Sequence, residues 1–366
     1  MSLRSNDLRI PNLSSPARRA AWLAVFALLP ALGVAGARAQ VTVGGLIYAQ
    51  WSAELDSLSP ANDFDVTRAY VNVFGKFGGG ITTRVTGDVY HDADATAGGG
   101  LVERLKFAYA TWTPAHSPVA VRFGLTQTAW EDFEDQLWDY RMQGLDEMDR
   151  DGYTSSSDFG VAVDGNFGGE RLDVTATAFN GENYNKSPGD QHKDFAARVS
   201  YRLLGTDDAS RVGGLRLTGY GQLGTPTGGG TRDRFIGMVS WRSKRLSLAA
   251  EYVATRDSLA GTANSLKNGR ILEGFGVLHV GATPLALIGL LAVVDPTTCT
   301  DYAAGTDCPL AAQYDRRTHV IAGTSWQLTP NVRLLLDMDR TTYRTPAGAA
   351  APKSMTQALF QTQVSY

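Results

Sequence analysis

The sequence has little cysteine, little histidine and, past residue 39, no long apolar run, and each shortage closes off a class of protein. Two cysteines in 366 residues, Cys299 and Cys308, cannot build a multi-disulfide or zinc framework. They flank a short polar stretch, and in an oxidising compartment that spacing predicts one disulfide. A metal pair is the alternative, but no histidine or further cysteine lies nearby in sequence. The five histidines, His91, His116, His192, His279 and His319, fall in no H-E-x-x-H or comparable spacing, and no G-x-S-x-G elbow is present. No metal and no cofactor is expected from these patterns. The one pairing that could serve a barrel esterase is His319 with Ser325, which alternate onto one strand face. Gly98 to Gly100 and Gly228 to Gly230 lack the lysine and helix context of a phosphate loop and read as turns. The chain is therefore not read as an enzyme. No stretch of 18 apolar residues follows residue 39, which excludes a bundle of membrane helices. Basic excess is absent too. The formal charge is −3, and leaving out residues 1–39, with five arginines and one aspartate, makes it −7. That balance does not favour a nucleic-acid partner.

What is present begins with an export address. Arg18 and Arg19 precede an apolar run from Ala20 to Ala35 that ends in Ala37-Arg38-Ala39, the three-part plan of a cleaved secretory signal. Pro30 and Gly33 interrupt the run, which is shorter than the about 20 residues of a bilayer-spanning helix. Residues 1–39 are read as a signal peptide, with a mature start at Gln40. An N-terminal anchor is the alternative.

From there the chain is rich in glycine, with 40 residues, and segment after segment alternates apolar with polar side chains at the period of a strand. In 65–77, Thr67, Ala69, Val71, Val73 and Phe77 form one set, while Arg68, Tyr70, Asn72 and Lys76 form the other. The same scheme sets Val119, Val121, Phe123 and Leu125 against Arg122, Gly124 and Thr126. It also sets Phe195, Ala197, Val199 and Tyr201 against Ala196, Arg198, Ser200 and Arg202. In 332–339, Val332, Leu334, Leu336 and Met338 alternate with Arg333, Asp337 and Asp339. About 16 such segments are centred near residues 48, 71, 86, 108, 122, 162, 175, 198, 218, 237, 250, 275, 288, 321, 336 and 360. Tight connections alternate with longer polar ones, apart from 203–213, which is too long for a tight turn. An even count with short turns on one side and long loops on the other predicts an all-β fold. The specific expectation is a transmembrane antiparallel β-barrel over 40–366, with short periplasmic turns and long extracellular loops.

A soluble β-sandwich would alternate as well. Against it stand the length without a domain break and the ending, where Ala358, Phe360, Thr362, Val364 and Tyr366 form an alternating strand that closes on an aromatic residue. Tyr48, Trp51, Tyr109, Trp112, Trp241, Tyr252, Trp326 and Tyr366 fall near strand ends, as interfacial girdles do.

In such a barrel the polar face is the lumen. The expected lining residues are Arg68, Lys76, Arg84, Arg104, Lys106, Arg122, Arg198, Arg202, Arg216 and Arg333, with Asp88, Asp164, Asp173, Glu251 and Asp337 among the opposing acids. Facing lipid at mid-bilayer, each Arg or Lys would cost roughly 2 to 4 kcal/mol. The longest connection, Gln127 to Ser157, is the third outer loop. It carries nine acids, including Glu131, Asp132, Glu134, Asp135 and Asp139, together with Trp130, Phe133, Leu137, Trp138, Tyr140 and Met148. A solvated loop has little use for so many large apolar side chains, whereas a loop folded into the barrel packs them on the wall. The expectation is a constriction in which loop acids face arginines such as Arg68, Arg84, Arg104 and Arg122. An external cap or a trimer-contact loop is the alternative.

The run from Arg104 to Trp138, with LKFAYATWTP, VAVRFGLTQT and TAWEDFEDQLW, resembles the phosphate-selective porin O and P family. The shared pattern is a strand, a short turn, an arginine-bearing strand ending in Phe-Gly, and a loop that enters the barrel. The resemblance covers mainly 65–140, the strand count and the C-terminus. It implies a 16-stranded, usually homotrimeric porin of the bacterial outer membrane, surrounded by lipid and lipopolysaccharide, with inner arginines that favour anions. The acidic third loop departs from what a dedicated phosphate channel would want, so phosphate selectivity is not carried over. The expected function is passive diffusion of small hydrophilic or ionic solutes, and the alternative is a surface receptor or adhesion barrel with little conductance.

Overall fold

A computed structural model describes residues 39–56, 61–91, 100–144, 146–186, 189–259, 267–296, 316–344 and 353–366. Cys299, Cys308 and the segment read as a signal peptide lie outside the described residues. Alternation at period two dictates strands, and sixteen form. They are β1 (Gln40–Glu54), β2 (Asn62–Lys76), β3 (Ile81–His91), β4 (Leu101–Trp112), β5 (Val119–Gln127), β6 (Ser157–Phe167), β7 (Leu172–Phe179) and β8 (Asp194–Leu204). The second half comprises β9 (Gly214–Gly224), β10 (Gly230–Arg242), β11 (Leu246–Leu259), β12 (Lys267–His279), β13 (Leu285–Asp295), β14 (Arg317–Thr329), β15 (Val332–Tyr343) and β16 (Met355–Ser365). Each pairs antiparallel with its sequence neighbours, and β1 pairs with β16, so the sheet closes into a barrel without an edge. All sixteen predicted centres fall inside these strands.

Closure is completed by the last residue. The Gly45 amide donates to the Tyr366 carbonyl at 2.8 Å, and the Tyr366 amide donates back to Gly45 at 3.1 Å. The Tyr366 ring lies where a Gly45 Cβ would be, so glycine is required at that close approach.

Connections following odd-numbered strands are mostly long, and those following even-numbered strands mostly short, such as the single 3-10 turn Gly78–Gly80. The outward face is apolar and open: Phe123, Phe195, Leu272 and Leu336 are 59–69% exposed. Inward neighbours such as Arg198 and Ile271 are buried. Three local features depart from strict alternation. Gly124 has a φ of 127°, and the next residue, Leu125, is buried rather than on the outer face. Tyr48, expected in a girdle, is buried with its ring edge-on to Tyr70 at 6.4 Å, next to a register shift at Tyr48/Ala49. On β13 both faces are apolar, and the inward Ala286, Ile288, Leu290, Ala292 and Val294 are buried.

Candidate functional site: the barrel interior and its third loop

The apolar inner face of β13 has a partner. Between β5 and β6 the chain forms two helices, α1 (Glu131–Trp138) and α2 (Glu147–Arg150). Glu131, Asp132 and Glu134 lie in the first turn of α1, where negative charge complements the helix dipole. Asp139 ends the helix in the left-handed region at φ 58°, its amide bonded to the Asp135 carbonyl. Asp146 caps α2 by accepting from the Asp149 amide at 2.9 Å. Trp130, Phe133, Leu137, Trp138, Tyr140 and Met148 are all at most 3% exposed. They form one core with Ile236, Met238, Val253, Ile271, Phe275, Ile288, Ile321 and Leu335. Trp138 meets Phe275 edge-on at 5.5 Å. Each fully buried side chain of this kind contributes about 1.5–3 kcal/mol, enough to hold the segment against the wall.

Polar groups fix its position. The Arg198 guanidinium on β8 donates to the Ala129 carbonyl at 2.8 Å, pairs with Asp173 and lies 4.4 Å from the Phe133 ring centre. At the other end of α1, Arg242 donates to the Gln136 carbonyl, and the Ser247 hydroxyl donates to Leu137 at 2.9 Å. Arg333 binds the Asp139 carboxylate at 3.1 Å, and the Gln361 amide donates to Met142 at 2.9 Å. These partners lie on β8, β10, β11, β15 and β16, strands spread around the closed barrel, so the segment that touches them all crosses its interior. The 205–213 connection, too long for a tight turn, is explained here as well. Its Arg211 reaches back to Asp132 at 2.9 Å, and its Val212 is buried.

Opposite, across β1–β4, the wall is polar and an open space of about 330 Å³ remains. It is bordered on one side by Tyr70, Asn72, Arg84 and Lys106, and on the other by Glu131, Asp132, Asp135, Asp139 and Arg141. Arg84 donates to Thr86 and Asn72 and lies 4.4 Å from the Phe107 ring. Lys106 donates to the Tyr70 hydroxyl at 3.2 Å. Among the described residues neither is in an ion pair. The loop acids are more fully matched: Asp135 and Asp149 share Arg141, each at 3.3 Å. Burial pushes the Asp135 carboxyl up to about 6.

The other predicted basic residues serve different surroundings. Arg68 and Arg104 both bind Asp88 at 2.9 Å, and Arg104 also stacks on Tyr90 and Tyr184. Arg122 forms a two-point contact with Asp164 at 2.7 and 3.0 Å. Arg216, with no exposed surface, donates to the Gly213 carbonyl at 3.1 Å and to the Glu170 carbonyl, and Arg202 donates to the Gly169 carbonyl, so both hold the 168–171 turn. Arg198 has no exposed surface either. Lys76 is exposed at the end of β2. Arg141, Arg211, Arg234 and Arg317 were not singled out by alternation. The first two lie in connections, and nothing in local sequence marks their partners.

His319 and Ser325 do not meet. His319 is bonded through Nδ1 to Glu147 and through Nε2 to Asp339 at 2.9 Å, while Ser325 is bonded to the Tyr140 hydroxyl at 2.5 Å. Both serve to anchor the loop. The Ser–His hydrogen bond that a nucleophile needs is not formed between them.

No family model matches the chain, and no curated protein matches it. The phosphate-selective porin O and P resemblance therefore gains no support at family level. Solved structures do match. The anion-selective porin from Comamonas acidovorans superposes with a TM-score of 0.65 at 10% identity, over 90% of this chain and 100% of that one. The fold is that of the bacterial porins. OmpF of Salmonella typhi, in complex with daunomycin, matches with a TM-score of 0.60 at 12% identity, over 89% and 97%. A loop-deletion mutant of OmpT, an outer membrane protein of Vibrio cholerae, matches with 0.59 at 11%, over 90% and 99%.

Proposed function

We propose that the chain is a bacterial outer-membrane channel for passive diffusion of small hydrophilic or ionic solutes. The observation that carries this reading is the edgeless barrel with an apolar outer face and an ion-lined interior. Large exposed side chains such as Phe195, Leu272 and Leu336 are stable against lipid, and the interior charges are stable only with water or counter-charges. The porin fold of the superposed structures supports the reading, and so does the export-like start of the sequence.

The solute path in this proposal runs through the space between Arg84 and Lys106 and the acids of the third loop, which acts as the constriction. Opposed charges there create a field across the path that orients dipolar solutes. Because, among the described residues, Arg84 and Lys106 are in no ion pair while Asp132, Asp135 and Asp139 pair with Arg211, Arg141 and Arg333, the net preference is for anions. The Comamonas porin is anion-selective; here the preference rests on this pairing pattern. Association into a homotrimer, implied by the family resemblance, belongs to the same proposal and is tested by native mass in detergent. Planar-bilayer recording tests the whole: discrete, ohmic conductance steps are expected, and insertion without conductance would instead favour the receptor or adhesion reading.

A further inference from the structure

On the apolar side of the interior, three buried acids stand together. Glu251 on β11 and Glu273 on β12 are direct register partners, and Glu134 of α1 lies over them. One carboxylate oxygen from each falls within 4.8 Å of the others, and all three side chains are buried. Like charges directly opposite on neighbouring strands are destabilising, and burial of unpaired carboxylates makes them more so. Yet among the described residues none of the three is in an ion pair.

A second observation separates this cluster from an ordinary acidic patch. Both oxygens of Glu251, both of Glu273 and Oε1 of Glu134 have no hydrogen-bond partner. Glu251 and Glu273 are only 3% and 2% exposed. Five of the six carboxylate oxygens are thus unpartnered; the sixth, Oε2 of Glu134, accepts from the Trp130 indole at 2.6 Å. Asp146 and Glu147, also acids, add their charge near Glu251, and neither Glu251 oxygen has a hydrogen-bond partner. Two ligand oxygens on one Ca²⁺, each at about 2.4 Å, are up to about 4.8 Å apart, so a spacing within 4.8 Å is of the order that one ion bridges. The donor set is oxygen only, which selects a hard divalent cation over zinc or copper.

We propose that Glu134, Glu251 and Glu273 form a buried Ca²⁺-type site that ties α1 of the third loop to β11 and β12. It is distinct from the solute path and does not depend on the barrel conducting. No sequence spacing announces it, since its three glutamates come from three separate segments.

The test uses the whole mature barrel, refolded free of lipopolysaccharide and treated with chelator. Tb³⁺ is titrated as the probe, with emission excited through tryptophan, because Trp130 is bonded to one of the ligands. The expected result is saturable tryptophan-sensitised emission at one equivalent per chain. Excess Ca²⁺ should reverse it, and E251Q/E273Q should lose it by at least tenfold. Folding of that variant is checked by far-UV circular dichroism and by heat-modifiable gel mobility. If it does not fold, E134Q takes its place, and the thermal transition of the unmodified barrel is compared with Ca²⁺ and with chelator, an upward shift with Ca²⁺ being expected. Absence of a saturable signal, a signal unchanged in a folded glutamine variant, or a transition indifferent to Ca²⁺ would overturn the proposal.

Discussion

The two sides of the barrel interior solve opposite problems with the same strand pattern. Along β10–β14 the inward positions include Ile236, Met238, Val253, Ile271, Phe275, Ile288 and Ile321, and the third loop covers them with Trp138, Phe133, Leu137 and Met148. Along β1–β5 the inward positions carry Arg68, Arg84, Arg104, Lys106 and Arg122, and the loop stays clear enough to leave an open space. The loop is thus asymmetric. Its apolar side chains and its arginine-held carbonyls lie against one wall, and four of its acids, Glu131, Asp132, Asp135 and Asp139, border the gap toward the other. The lesson is that a charge inside a barrel is not by itself a pore charge. Arg198 is sealed beneath the loop while Arg84 borders the space, although alternation assigns both to the same face.

Removing residues 132–150 would abolish the contrast altogether, and it carries the largest expected effect. Single-channel conductance should rise roughly twofold or more once the constriction is gone, and an unchanged value would mean that the loop does not narrow the path. Next in size is a pair of arginine truncations read by thermal unfolding. Arg198→Ala leaves Asp173 and the Ala129 carbonyl without their partner and should destabilise by about 3–5 kcal/mol. Arg84→Ala should leave the transition near that of the unmodified protein and change ion selectivity instead. Equal destabilisation by the two would erase the distinction between wall and path.

A smaller effect concerns pH. Asp135 borders the path, with its carboxyl raised to about 6 by burial. Below that value it is protonated and neutral, above it anionic. Passing from pH 8 to pH 5 therefore removes negative charge from the constriction and should increase the permeability ratio of chloride over potassium. Asp135→Asn should fix the low-pH ratio at both values; a ratio that still moved in that variant would assign the dependence to another group.

Much of this was legible in residue order. The sixteen strands, their alternation and the crowded third loop follow from periodicity and composition, because a strand exposed on one face to lipid and on the other to ions must alternate. Trp130, Phe133 and Trp138 in one loop signalled packing against a wall. Which wall was not legible: the clue, apolar residues on both faces of β13, reads equally as a strand buried on both sides. The partners of Arg198 and Arg216 were hidden for another reason. They bond to the main-chain carbonyls of Ala129 and Glu170, distant in sequence, and a carbonyl has no residue identity to recognise. The length of 205–213 marked an irregularity, and only the Arg211 to Asp132 contact explains it. The glutamates at 134, 251 and 273 were separately visible, but their meeting depends on the register of β11 with β12 and on where α1 lands.

The central claim is that ions cross between Arg84 and Lys106 on one side and the acidic edge of the loop on the other. Reversal potential in a potassium chloride gradient, for the unmodified channel and for Arg84→Ala/Lys106→Ala, tests it most directly. The unmodified channel should favour chloride, and the double variant should shift clearly toward potassium. A potential that is the same in both, from channels of equal conductance, would contradict it.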